Sequence, residues 1–126
     1  MGQCIFCNKD NITSGFVYED EVAMAFMDID PINEGHVLVV PKAHYLDIEE
    51  LPDELLTHLM SISKQIVSAL KKVYALDGYS IMQNGGAFND IGHFHLHIFP
   101  RYKGDGFGWT SGTGHKEANA EIAKRV

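Results

Sequence analysis

Three histidines at strict two-residue spacing, His93, His95 and His97, alternate with Phe94, Leu96 and Ile98 and run on into Phe99 and Pro100. In a β-strand, alternate side chains point to the same face and residues two apart lie about 6–7 Å from one another. The pattern therefore predicts a strand over 93–99, with a row of imidazoles on one face and a core-forming apolar row on the other. A metal-chelating or merely solvated histidine strand is the plain alternative. Choosing between them requires the rest of the chain.

With 126 residues, 45% of them hydrophobic, the chain holds enough apolar material for a single core, and no composition shift divides it. One domain over 1–126 is expected. A net charge of -7 argues against nucleic-acid binding by general electrostatics, so any phosphate must be held by local donors. No run approaches the roughly 18 apolar residues of a membrane span. The polar N-terminus, with Gln3, Asn8, Lys9 and Asp10, lacks a signal-peptide layout. These features predict a cytoplasmic protein without a membrane partner. Two cysteines, in Cys4-Ile5-Phe6-Cys7, fit a reducing compartment and a metal or redox site better than a structural disulfide.

Short β-type runs fall at 16–18, 22–28, 35–40 (ended by Pro41), 79–84 and 93–99, about five strands in all. Between the third and fourth, Pro52 suits a first helical turn. Leu55, Leu59, Ile62, Ile66, Leu70 and Val73 then repeat at helical spacing, until Gly78. Strands grouped on either side of one long helix predict an α+β sheet rather than a βαβ winding. Glycines at 104, 106, 108, 112 and 114 mark 103–114 as loop, without the Lys-Ser/Thr pair of a phosphate loop. Residues 116–125 are expected to be a short helix or a tail.

The histidines suit phosphoryl chemistry. A neutral imidazole is a competent nucleophile toward phosphorus, and a neighbouring one can steady the phosphate oxygens. His95, flanked on both sides, is best placed to attack, with His97 contacting the phosphate or the leaving group. Positioning and charge stabilisation dominate such reactions, so a strand face with convergent donors could suffice without magnesium. Cys4 and Cys7 form half of a tetrahedral zinc site; a redox pair and free core thiols are the alternatives. Asp28 ends an apolar strand, where its carboxylate suits both hydroxyls of a ribose or opens the turn at 30–33. Phe6, Phe26 and Ile29 suit a base pocket or the core. His36, on the third strand, can as a lone histidine be a satisfied sheet residue. His58 and His115 are expected to face solvent, and Lys42 to be a surface charge.

Taken together, His93-Phe94-His95-Leu96-His97-Ile98-Phe99 resembles the signature of the histidine triad (HIT) family. Cys4-Ile5-Phe6-Cys7, Ala25 to Ile29, Gly35 to His44 and Gln83-Asn84-Gly85 follow in the family's order, so the likeness covers nearly the whole chain. It points to the bacterial nucleotide-hydrolase branch: small homodimers with an antiparallel sheet, in which the middle histidine is nucleotidylated and water releases a nucleoside monophosphate. The resemblance implies a purine nucleotide substrate, Asp28 on the ribose and His36 near the triad at the nucleotide site. It places Asn84 beside the phosphate or leaving group, and has His44 and His93 join Cys4 and Cys7 around a structural zinc. Where relatives carry Gly-Gln-Ser/Thr before the first histidine, this chain reads Phe88-Asn89-Asp90. Asn89 keeps an amide that can donate to phosphate, with less reach. Asp90 brings a carboxylate that favours an amine leaving group over a polyphosphate. The classes in view are a nucleotide hydrolase, including one that cleaves dinucleoside polyphosphates, a nucleotide-binding regulator with little turnover, and a zinc-stabilised interaction module.

Overall fold

The alternation of side chains along the strands decides how this chain packs. In the computed structural model, which describes residues 4–114 and 116–126, five strands form one antiparallel sheet. They are β1 (Phe16–Glu19), β2 (Ala23–Met27), β3 (Val37–Pro41), β4 (Gly78–Met82) and β5 (Leu96–Arg101), in the order β1-β2-β3-β5-β4. Ala23, Ala25, Val37, Val39, Phe94, Leu96 and Ile98 pack against the long helix α1 (Asp53–Val73), with its Leu59, Ile62, Ile66 and Leu70. Met24, Phe26, Leu38 and Val40 gather on the other face with Phe6. The histidines lie on that second face, so period two separates chemistry from core as the sequence predicts.

The helix begins at Asp53 after Pro52, with Asp53 and Glu54 in its first turn and Lys71 and Lys72 in its last, both favourable to its dipole. It stops at Val73, short of Gly78, because Tyr74 turns to extended backbone and packs on the β2–β3 loop. Gly35 of that loop has φ +94°, and a Cβ there would lie 2.7 Å from the Tyr74 ring, so only glycine fits. The tail carries one short helix, α2 (Ala120–Ala123), capped by the Asn119 side chain. None of the described helices is long and apolar enough to cross a membrane.

Two expectations change. The fifth strand's ladder starts at Leu96, not His93: the register Val39↔Leu96 would bring Pro41 opposite Phe94, and proline has no N–H to offer. The chain there stays hydrogen-bonded by other means, with the Phe94 amide donating to the Tyr45 carbonyl at 2.7 Å and the His93 ring on the Pro41 carbonyl at 2.8 Å. His58 does not simply face water. Its Nε2 meets Asp20 Oδ2 at 2.6 Å, tying α1 to the β1–β2 turn. Burial alone would raise the Asp20 carboxyl, but hydrogen bonds from Tyr18, His58 and the Val22 and Ala23 amides hold it well below the usual range. His115 lies outside the described residues. Lys42 pairs with Glu19 at 2.7 Å.

Candidate active site

The face opposite α1 opens into a cavity of about 250 Å³ lined by Phe6, Phe26, Asp28, Ile29, Asp90, His95 and His97 among others. Three of the segments that build it carry the expected site residues. The single helical turn at Ile5–Cys7 carries Phe6, whose ring meets Phe26 edge-on at 5.1 Å and His95 at 5.7 Å. Asp28 and Ile29 follow β2 directly, His95 precedes β5 and His97 lies within it, the two rings 4.9 Å apart. Burial differs sharply among these residues: Phe6, Phe26 and His95 are nearly inaccessible, whereas Ile29 is 81% exposed at the rim.

Hydrogen bonds fix which nitrogen of each imidazole carries the proton. The Ile32 amide can only donate, and it donates to His36 Nδ1 at 3.0 Å. His36 therefore carries its proton on Nε2 and donates to His97 Nδ1 at 2.9 Å, which leaves His97 with an N–H on Nε2, the edge away from His36. His95 is set the opposite way. Its Nδ1–H donates to the His93 carbonyl at 2.7 Å, so its Nε2 keeps a lone pair. Burial holds His97 down at about 4; His95 and His36 push the same way, and Asp28 and Asp90 oppose. Burial also lowers His36, against Asp28 and Asp30. The pocket thus presents one imidazole lone pair beside one neutral imidazole N–H.

Asp28 accepts from the Asp30 amide through Oδ1 at 2.9 Å, the turn-forming bond, while Oδ2 lies 3.4 Å from His36 Nε2 and 3.8 Å from His97 Nδ1. Asp90 is 85% exposed, with Oδ1 3.9 Å from His95 Nε2. Not every expected residue reaches the cavity wall. His36 stands behind His97 and acts on the pocket through it. Asn84 is exposed, its carbonyl accepting from its neighbour Gln83, outside the lining. Asn89 accepts from the Ile91 and Gly92 amides of its own loop and donates to the Leu46 carbonyl of the segment before α1. Ile5, Asn11, Ile12, Thr13, Ser14, Leu38 and Ile91 line the cavity and were not foreseen. Leu38 could have been found by period two from His36; the N-terminal residues carry no local signal.

His93 faces away from the cavity. Its Nε2–H donates to Pro41, so Nδ1 holds a lone pair 3.2 Å from Cys4 Sγ and 3.5 Å from Cys7 Sγ, and His44 Nδ1 lies 3.2 Å from Cys7 Sγ. All four donor atoms fall within 4.8 Å of one another. A tetrahedral ion bonded at about 2.3 Å to sulfur and 2.0–2.1 Å to nitrogen sets such ligands roughly 3.5 Å apart, so this quartet can hold a metal. Packing around its sulfur, then Cys4 beside it, pushes the Cys7 thiol up to about 11, a cost that a bound divalent cation reverses. Asp28, His36 and His97 also bring donor atoms within 4.8 Å. There the ring nitrogens are already hydrogen-bonded to each other, which uses the lone pair a metal needs.

Comparison with known proteins accords with this geometry. The HIT domain family model matches residues 9–104. An uncharacterized HIT-like protein of Methanocaldococcus jannaschii is 49% identical over 107 residues, covering 82% of each chain. The adenosine 5'-monophosphoramidase of Saccharomyces cerevisiae is 40% identical over 102 residues, 78% of this chain and 62% of the yeast one. Among solved structures, a HIT family protein from Bacillus anthracis superposes with TM-score 0.84 at 36% identity, covering 97% of this chain and 90% of the other. A zinc-bound histidine triad family protein from Mycobacterium smegmatis gives 0.75 at 31%, covering 97% and 88%. The chain belongs to the HIT family, and its antiparallel sheet with one long helix is the fold of those structures. The matched span begins after Cys7, so the thiols that complete the metal quartet lie outside it.

Proposed function

We propose that this protein is a nucleotide hydrolase that cleaves nucleoside 5'-phosphoramidates or related nucleotide conjugates through a covalent nucleotidyl-histidine on His95. The observation that carries the reading is the opposed proton placement of two adjacent rings, a lone pair on His95 Nε2 and an N–H on His97 Nε2, over one cavity. In the first step His95 Nε2 attacks phosphorus and the bond from phosphorus to the leaving nitrogen, which takes its proton from solvent, breaks to release the amine, while His97 Nε2–H donates a hydrogen bond to a phosphate oxygen. In the second, water attacks the same phosphorus and loses a proton to solvent. The bond to His95 breaks, releasing the nucleoside monophosphate and restoring the His95 lone pair. Phe6, Phe26 and Ile29 hold a purine base, and the Asp28 carboxylate accepts from the ribose hydroxyls. The phosphoramidase name of the yeast relative supports this substrate class.

The Cys4, Cys7, His44 and His93 quartet is assigned to a structural zinc with no open position; when bound it ties the N-terminal turn, and with it Phe6, to the catalytic segment. The zinc-bound mycobacterial relative supports that choice of metal. A homodimer is assigned to the surface where α1 meets the edge strand β4. Met60, Tyr79 and Ile81 are exposed there around a shallow groove. Its free thiols suit the cytoplasm. The deciding experiment is multiple turnover of an adenosine phosphoramidate by zinc-loaded protein, with acid quench to trap a nucleotide on His95. Release of AMP with trapped label supports the reading. Tight nucleotide binding without turnover would make the protein a binding regulator instead.

A further inference from the structure

The proton placement on His97 depends on a group far from the pocket. Every imidazole hydrogen bond in the His36–His97 pair could reverse together if nothing fixed one end, and what fixes it is the Ile32 amide on the β2–β3 loop. That loop is pinned at the next residue. Asn33 Nδ2 donates to the Pro100 carbonyl at 2.8 Å and to Asp105 Oδ2 at 3.0 Å, and the Asn33 carbonyl accepts from the His36 amide at 3.2 Å.

Asp105 is built into its place. Its side chain is 6% exposed and accepts from Arg101 Nε at 2.7 Å, Arg101 Nη2 at 3.1 Å, and the Tyr102 and Phe107 amides at 3.1 and 3.2 Å. Gly104 and Gly106 flank it at φ 79° and 80°, the left-handed conformation that folds the loop back onto β5. The same clamp reaches His36 from its other side. Arg101 Nη2 holds the Phe107 carbonyl at 2.6 Å, the Phe107 ring meets Phe99 at 5.3 Å, and Phe99 lies 4.8 Å from the His36 ring. One buried carboxylate thus restrains both the donor that His36 accepts from and the wall that His36 rests on. Neither Asn33 nor Asp105 lines the cavity.

We propose that Asn33 and Asp105 are positioning residues that fix the proton polarity of the His36–His97 pair, and so keep the N–H of His97 aimed into the pocket. For turnover, this rests on the reading of His97 as hydrogen-bond donor to the substrate phosphate. The geometry of the clamp stands apart from that reading, and the test separates the two.

Protein labelled with 15N in histidine is examined by long-range proton–nitrogen spectra at neutral pH, in wild type, Asn33→Ala and the near-isosteric Asp105→Asn. In wild type, His36 and His97 are each expected as a single tautomer with the proton on Nε2. In Asn33→Ala both are expected to become mixtures, and kcat to fall roughly tenfold while KM stays within about threefold. Asp105→Asn is expected to move both readouts the same way, and it serves alone if Asn33→Ala does not fold. Folded variants with wild-type imidazole spectra overturn the proposal. Shifted spectra with unchanged kcat support the clamp and remove the His97 N–H from turnover. A wild-type protein without turnover defeats the hydrolase reading instead, and the spectra then decide the clamp alone.

Discussion

His93 and His95 stand two residues apart on one extended segment and present opposite nitrogens to opposite tasks. His93 gives its Nε2–H to the Pro41 carbonyl and turns an Nδ1 lone pair toward two thiols; His95 gives its Nδ1–H to the His93 carbonyl and turns an Nε2 lone pair toward the cavity. The residue type is the same and both rings are buried. What differs is which carbonyl is within reach, so a backbone oxygen chooses between a metal ligand and a nucleophile. The quartet of two thiols and two imidazoles and the pocket are two readings of one motif, joined through Phe6, which lines the cavity from the turn between the cysteines.

The largest expected effect is on the pocket side. His95→Ala should lower kcat at least about a thousandfold, because the nucleophile is gone, while nucleotide affinity stays within roughly tenfold. Near-normal turnover in that variant would remove His95 from the chemistry and break the comparison at once. On the other side, Cys4→Ser should release the metal and lower Tm by more than about 10 °C, since metal binding to such a site is folding free energy. Metal analysis of wild type and variant, with thermal melts, checks it. Wild-type protein free of zinc, with both thiols titratable, would leave His93 as a core histidine.

The next effect is a pH dependence. His97 titrates at about 4 in the folded chain because burial disfavours its cation, against about 6.5 when unfolded. As pH falls below 6.5 the unfolded state takes up this proton first, so stability falls between about pH 6.5 and 4, by as much as roughly 3 kcal/mol, and levels off below. His36, lowered by burial, adds in the same direction. Denaturant unfolding of wild type and His97→Gln at pH 7 and 4.5 isolates the contribution. An equal loss in both would show that His97 is not held neutral by burial.

The smallest effect concerns Asp90. Its carboxylate lies 3.9 Å from His95 Nε2 but is 85% exposed, so water and salt screen most of its field. Wild type should favour a phosphoramidate over a dinucleoside polyphosphate, and Asp90→Ser should narrow that ratio of kcat/KM by about twofold to fivefold. An unchanged ratio would mark Asp90 as a surface charge without influence on the leaving group.

Where sequence reasoning succeeded, it did so through periodicity and through likeness to a family. Alternation along 93–99 put Phe94, Leu96 and Ile98 under α1 and the histidines opposite, and helical spacing located α1. Asp28, Phe6 and Phe26 were legible as pocket candidates, and the structure brings them onto one cavity wall. The likeness implies Asn84 beside the phosphate or leaving group and Asn89 on the phosphate; in the structure Asn84 is exposed outside the cavity lining, and the Asn89 side chain bonds its own loop and the Leu46 carbonyl. A side chain's partners depend on loop geometry, and no periodicity encodes that.

The spacing of residues determined by itself that this chain forms a sheet with a histidine face and a helix-covered face, because period two and period 3.6 are local properties of the backbone. It also put two thiols one helical turn apart. Only the tertiary structure decided which nitrogen of each ring is protonated. That assignment hangs on Ile32, Pro41 and the His93 carbonyl, and on a β2–β3 loop held by Asn33 to a carboxylate 72 residues away. Hydrogen-bond direction is set by whatever donor or acceptor the fold delivers, and delivery over such separations is a property of packing rather than of any stretch of sequence.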